Sequence, residues 1–173
     1  LDKSLVGQIT MLDNLETQRD SSLFDLPKVY KYKFIQDDIT TADFSKYLKD
    51  VDVVIHLAAL TDAESSVKLS DKAILVNFDG TKRVADACLK HNVKLLFPST
   101  TSVYGSAEKV VDEASPLKPQ SPYAQSKLDA EKYIQNLGPD GLKYIICRFG
   151  TIYGWPVGMR FHTAVNKFTW QAI

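Results

Sequence analysis

The chain has 173 residues, enough for one domain with its own core and too few for two comfortable ones. Its 45% hydrophobic and 24% charged residues are ordinary for a globular protein, and 21 Lys+Arg against 21 Asp+Glu offer no net field for nucleic acid or an anionic membrane surface. Cys88 and Cys147 form no CxxC pair, His56, His91 and His162 match no metal-ligand spacing, and no apolar run nears the roughly 20 residues of a membrane span. The expected setting is therefore cytoplasmic and reducing, with a small-molecule partner and no metal.

In chain order, GQITMLD (7–13) ends an apolar stretch on Asp13, and KYKFIQDDI (31–39) follows a Ser/Asp/Pro-containing loop; both predict short strands. DFSKYLKD (43–50) has helical spacing. VDVVIHLAA (51–59) is a nearly unbroken apolar run rich in Val and Ile, as expected of a strand covered on both faces of a parallel sheet. Over 71–90, Ile74, Asn77, Thr81, Val84 and Cys88 recur at helical intervals and predict a helix whose inward stripe is interrupted by Asn77. VKLLFPST (93–100) predicts another buried strand, 120–137 a helix, GPDG (138–141) a turn, KYIICRF (143–149) a strand and 159–173 a closing helix. Strands alternating with helices imply crossover units, an α/β fold and a doubly wound parallel sheet. Ligands of such sheets collect beyond the carboxyl ends of the strands, where Asp13, Asp38, Leu57 to Leu60 and Ser99 to Ser102 would gather.

Tyr123 and Lys127 lie four apart on the predicted 120–137 helix, on a face continued by Ala130, Ile134 and Leu137. The spacing alone is cheap: with 8 tyrosines and lysine at roughly a tenth of positions, about one Y-x-x-x-K match arises by chance. A lysine snorkelling beside a core tyrosine is the plain alternative. The hydroxyl cluster STTSVYG (99–105) adds weight, because it follows the preceding strand at the same end of the sheet. A fixed ammonium favours a phenolate, so Tyr123 could take a proton from a substrate alcohol while Thr100 hydrogen-bonds the same oxygen. The accompanying hydride has no acceptor among side chains, which implies a nicotinamide cofactor.

Asp13, at a strand end, is placed to accept hydrogen bonds from an adenosine ribose diol, or simply to cap a turn. Its carboxylate would repel a 2'-phosphate, which favours NAD over NADP, while Arg19 nearby is the feature that would suit NADP. Asn77 reads equally well as a tie between helix and loop or as a ligand contact. His56 reads as a satisfied strand-end histidine rather than a catalyst.

Seven stretches in order, LDNL (12–15), DD before Ile39, DVVIHLAA (52–59), NFDGT (77–81), STTSVYG (99–105), SPYAQSK (121–127) and RFGTIYG (148–154), resemble the extended short-chain dehydrogenase/reductase family, the NAD-dependent sugar-nucleotide epimerases and dehydratases. The resemblance implies Tyr123 as base, Lys127 as the residue that tunes it and holds the nicotinamide ribose, and Thr100 as hydroxyl partner. It also implies Asp13 and Asn14 at the adenosine ribose, Asp38 and Ile39 at the adenine, Leu57, Ala58 and Ala59 as backbone along the cofactor, with Asn77 as a further cofactor contact. Thr101, Ser102 and Asn166 would face a nucleotide-sugar substrate, and a homodimer would form through the helices at 71–90 and 120–137.

Two departures shape the expectation. Family dehydratases carry an acidic residue just after the catalytic threonine; Thr101 and Ser102 stand there, which favours epimerisation or simple oxidation. Thr151 occupies a position where many relatives have asparagine. The family's first strand and G-x-G-x-x-G loop find no counterpart before LDKSLVGQ, so the sequence reads as a Rossmann-like domain lacking both, with residues 1–157 an incomplete dinucleotide-binding domain and 158–173 the start of a substrate-binding region. On that reading the chain is a fragment, inactive or weakly binding, and the Asp13 strand pairs directly with the VDVVIHL strand or with another chain. The alternatives within the fold are an NADP-linked carbonyl reductase and a sugar-nucleotide decarboxylase; outside enzymes, a non-catalytic binding or assembly remnant.

Overall fold

Every strand pair is parallel, which is what the alternation of elements requires. In a computed structural model, which describes residues 6–18, 20–61, 70–106, 110–154, 157 and 164–172, β1 (Gln8–Asp13) pairs with β2 (Lys31–Gln36) from Gln8↔Lys31 to Asp13↔Gln36. A second sheet has the order β3 (Val53–Ile55), β4 (Lys94–Thr100), β5 (Tyr144–Phe149). The architecture is a parallel-sheet, Rossmann-like α/β fold. The chain forms two compact units: Leu1–Asp38 with Thr151–Ile173, holding the first sheet, and Ile39–Gly150, holding the second.

In the larger unit β4 is central, and Leu95, Phe97 and Ser99 alternate inward along it. Pro98 in a central strand needs an explanation, because proline cannot donate to a ladder. Leu95 donates to Lys143 on the β5 side and Lys94 to Asp52 on the β3 side, so the nitrogen of Pro98 faces β3, two residues past the last β3–β4 pair, Ile55↔Leu96. No ladder bond is lost there. β3 ends, and the chain from Leu57 to Leu60 leaves the sheet.

Three expectations are corrected. The 43–50 stretch makes only a 3-10 turn over Phe44–Lys46: Asp43 caps its start, with Oδ1 accepting from the Ser45 amide (3.2 Å) and hydroxyl (2.6 Å), and the stretch ends on Asp50 in the left-handed region (φ 61°), where a right-handed helix cannot continue. The 71–90 helix is α1 (Ser70–Ile74), a π-helical turn (Leu75–Gly80) and α2 (Thr81–Lys90). The wider turn selects i,i+4 spacing, so Ala73, Asn77, Thr81, Val84 and Cys88 are buried while Ile74 is 48% exposed. Direct pairing of β1 with β3 does not occur: among the described residues β1 pairs with β2 alone and β3 with β4 alone. A three-residue β3 offers too few ladder bonds to recruit a second partner by itself.

Beyond β4 come a 3-10 turn (Thr101–Tyr104), α3 (Pro122–Asn136) and, in the smaller unit, α4 (Ala164–Gln171). Gly105 closes the 3-10 turn at φ 69°, ψ −150°, a region open essentially to glycine, and a Cβ there would run into the Lys118 carbonyl oxygen. Lys118 in turn donates its amide to Val103 (2.9 Å), which ties the loop to the strand end. Gly105→Ala is expected to destabilise the chain by about 2 kcal/mol or more in urea unfolding; an unchanged midpoint would show that this loop is not anchored as described.

Candidate active site

The site is built on the start of α3. Ser121 is its N-cap, with its hydroxyl accepting from the Ala124 amide at 3.1 Å, and Pro122 occupies the first turn. The helix start is thereby fixed, Tyr123 falls in the first turn, where the peptide dipoles leave positive potential, and Lys127 lies one turn on. Lys127 is only 4% exposed, and its Nζ sits 4.0 Å from the centroid of the fully buried Phe97 ring. The snorkelling alternative requires the ammonium to reach water along an exposed path, which this burial does not provide. Burial pushes its pKa down to about 8, and the Glu131 carboxylate opposes that drop.

Thr100 is the last residue of β4 and caps the 3-10 turn: its Oγ accepts from the Ser102 amide and donates to the Ser102 hydroxyl, both at 3.1 Å. A substrate oxygen could take over the Thr100 donor from Ser102 by rotation of one hydroxyl. Thr101 and Ser102 are exposed. Ser99, one residue earlier and 5% exposed, has a buried Oγ without a hydrogen-bond partner, a state that calls for a water or ligand group.

Behind Lys127 lies an ion pair that sequence reasoning missed. Glu131, 1% exposed and four residues after Lys127, receives Arg148 from β5 in a fork: Nη2 to Oε2 at 2.7 Å, Nε to Oε2 at 3.1 Å and to Oε1 at 3.2 Å. Arg148 Nη1 also donates to the Tyr104 hydroxyl at 2.9 Å. The one sequence signal for Glu131 was its helical spacing from Lys127; Arg148 gave none, standing inside an apolar strand.

His56, at the end of β3, is 4% exposed and stacks on Phe97 with centroids 5.9 Å apart. Thr81 Oγ1 donates to the Asn77 carbonyl at 2.7 Å, so its bond to His56 Nε2 at 2.9 Å must be accepted, which assigns the Nε2–H tautomer from the network. This is the satisfied histidine expected. Asn77 receives the Leu60 amide (2.7 Å) and donates to the Leu60 carbonyl (3.0 Å), so it ties the π turn to the loop carrying Leu57, Ala58 and Ala59. Leu57 is 73% exposed. Ile39 buries its side chain against Gly80, and its carbonyl accepts from Arg83 Nε at 3.2 Å.

In the smaller unit, Asp13 ends β1, and its Oδ1 accepts from the Leu15 amide (2.7 Å). Asn14 Nδ2 donates to Asp38 Oδ2 (2.8 Å), two residues past the end of β2. The pattern is a turn cap that also brings two carboxylates, the exposed Asp13 and the half-buried Asp38, to neighbouring strand ends. Asn166 on α4 accepts from the Gly154 amide at 3.5 Å. Arg19, His162 and the 159–163 part of the closing helix lie outside the described residues. Among the described residues, no group of three or more His, Cys, Asp or Glu stands where it could hold a metal, and no helix is long and apolar enough to cross a membrane.

Residues 3–173 match the NAD dependent epimerase/dehydratase family. An uncharacterized UDP-glucose epimerase of Bacillus subtilis is 34% identical over 149 residues, covering 82% of this chain and 46% of the relative. The dTDP-D-glucose 4,6-dehydratase of Homo sapiens is 36% identical over 149 residues, covering 83% and 40%. Among solved structures, the UDP-glucuronic acid 4-epimerase from Bacillus cereus in complex with UDP-glucuronic acid and NAD superposes with a TM-score of 0.82 at 30% identity, covering 95% of this chain and 55% of that one. The chain spans less than half the length of the two relatives and about half that of the structure.

Proposed function

Because the chain belongs to the NAD-dependent epimerase/dehydratase family, we propose that it carries the Thr-Tyr-Lys centre of a sugar-nucleotide epimerase or closely related oxidoreductase that acts on a ring hydroxyl. The observation that carries this reading is Lys127: an ammonium 4% exposed, one helical turn from Tyr123 on a capped helix. A buried cation is costly to keep, and a catalytic base one turn away gives it a use.

In this reading Tyr123 takes the proton of the sugar hydroxyl through its phenolic oxygen, Thr100 donates to the same oxygen, and Lys127 supplies positive potential to the phenol and donors to a ribose diol. NAD, when bound, would supply hydride acceptance and return. In the larger unit the buried ammonium and the orphaned hydroxyl of Ser99 beside Thr100 suit such a cofactor; in the smaller unit the carboxylates of Asp13 and Asp38 suit a ribose and an adenine. Asn14 positions Asp38, Ile39 and Leu57 to Ala59 lie along the cofactor, and Asn77 fixes their loop. Epimerisation or oxidation is favoured over dehydration, since Thr101 and Ser102 cannot exchange a proton with carbon at neutral pH; the dehydratases among the relatives share the fold and not, on this view, the step. Asn166, in a substrate-binding region begun by 158–173, would meet the nucleotide phosphates. A cytoplasmic homodimer through the helices at 71–90 and 120–137 belongs to the same reading.

No G-x-G-x-x-G occurs among these 173 residues, so the amides that cradle a pyrophosphate are not supplied by them. Calorimetry with NAD on this chain, and on the chain extended at its N-terminus by a strand and such a loop, tests the reading. Weak binding by the first and binding at least about tenfold tighter by the second is expected, with NADP weaker than NAD at Asp13. Failure of both to bind either nucleotide would end the enzyme reading in favour of a binding or assembly module.

A further inference from the structure

The Glu131–Arg148 pair has no part in the proposed proton transfer, yet it is the most buried charged pair among the described residues. Glu131 is 1% exposed and the Arg148 side chain 15%. Such a pair seldom repays its own desolvation, and apolar residues of like volume often serve stability as well. Its placement is informative. Ser99 and Arg148 are paired in the β4–β5 register, one residue before Thr100↔Phe149, so Arg148 leaves the sheet at the level of the Thr100 strand end. It grips Glu131, which shares the buried face of α3 with Lys127 one turn away. Tyr104, at the end of the turn that Thr100 caps, holds the other arm of the guanidinium at 2.9 Å, with the ring centroid 5.0 Å from its central carbon.

We propose that Glu131, clamped by Arg148 and Tyr104, is a positioning residue for Lys127: it fixes α3 against the end of β4 and supplies the countercharge that keeps the buried amine an ammonium. This rests on the reading of Lys127 as the cation that serves Tyr123. Two ionisable groups, Glu131 and His56, lie near enough to Lys127 to act on it when charged. Glu131 favours its charge, whereas His56, held neutral by burial, supplies none. Phe97 of β4, over whose ring the ammonium sits, is uncharged, as are Ser99 and Thr100 farther along β4 and Asn77 of the π turn, and Tyr123 and Tyr104 are phenols. Arg148, a cation, is turned onto Glu131 in three hydrogen bonds, so Glu131 is the anion through which β5 reaches Lys127.

The test is a nucleotide-free NMR titration of the chain with 13C-labelled lysine and glutamate, from pH 6 to 11. In the parent protein the Glu131 carboxylate carbon should change its chemical shift at the midpoint of the Lys127 ε-carbon, because it senses the loss of the neighbouring charge. In Glu131→Gln, and in the apolar double variant E131L/R148M, which removes both members of the fork together, the Lys127 midpoint should fall by about one unit. An absent step in the parent, or an unmoved midpoint in either folded variant, overturns the proposal, since a merely structural clamp would leave the titration of Lys127 alone. The parent measurement decides the matter even if neither variant folds. Because no nucleotide is present, coupling that survives alongside failed NAD calorimetry would sink the functional reading and not this one.

Discussion

Phenylalanine at Tyr123 should leave NAD binding within about twofold and lower the rate of sugar oxidation by roughly 10²–10⁴, the range of a general acid–base contribution. The substitution removes one hydroxyl and keeps the ring. Ser121 still caps α3, Pro122 still occupies its first turn, and the Ser126 hydroxyl still donates to the carbonyl of residue 123 at 2.8 Å. Lys127 keeps its seat over Phe97, so the ribose contact proposed for it should survive. The measurement is single-turnover NADH absorbance on the N-terminally extended protein with a panel of nucleotide sugars, beside calorimetry for NAD. A rate that holds to within a factor of a few would remove Tyr123 from the proton path and leave the capped turn as a fold feature only. Loss of rate together with loss of NAD affinity would instead make Tyr123 a binding group.

What was legible beforehand follows from how locally each feature is encoded. The Tyr123–Lys127 face, the five strands and the satisfied state of His56 were readable, because helical spacing and apolar runs are statements about near neighbours. The Glu131–Arg148 fork was not, since its partners sit on a helix and a strand that meet only after folding. The π turn was invisible for another reason: shifting to i→i+5 bonds changes no composition, only which of Ala73 or Ile74 turns inward. DFSKYLKD forms only a 3-10 turn: its aspartate caps the start as a helix would need, but the stretch ends on Asp50 at φ 61°, which helical spacing does not reveal. Thr100 was read for chemistry, and its second role as cap of the turn bearing Thr101 and Ser102 appears only with the hydrogen bonds. The ribose-directed reading of Asp13 and its humbler one, a turn cap on Leu15, turn out to be compatible, as the bond to Leu15 uses Oδ1.

The second large effect is on stability in acid. Burial, reinforced by the positive charge of Lys127, pushes His56 down from 6.5 to about 3. A base whose folded pKa lies below its unfolded value binds fewer protons in the native state, so stability rises with pH between those two values. The contribution of His56 is therefore fully present above about pH 6.5 and is lost as pH falls toward about 3. The gap corresponds to about 5 kcal/mol at 1.36 kcal/mol per unit. Glutamine is the informative replacement, because its amide nitrogen can donate to Thr81 Oγ1 as His56 Nε2 does while carrying no titratable site. Carboxylates titrate in both proteins over the same range and cancel in the comparison. Urea unfolding at pH 7 and at pH 3.5 should therefore show the parent losing several kcal/mol more than His56→Gln. Parallel losses would mean that the imidazole is reached by water or protonates in place, and the neutral network from His56 through Thr81 to Asn77 and the Leu57–Leu60 loop would have to be redrawn.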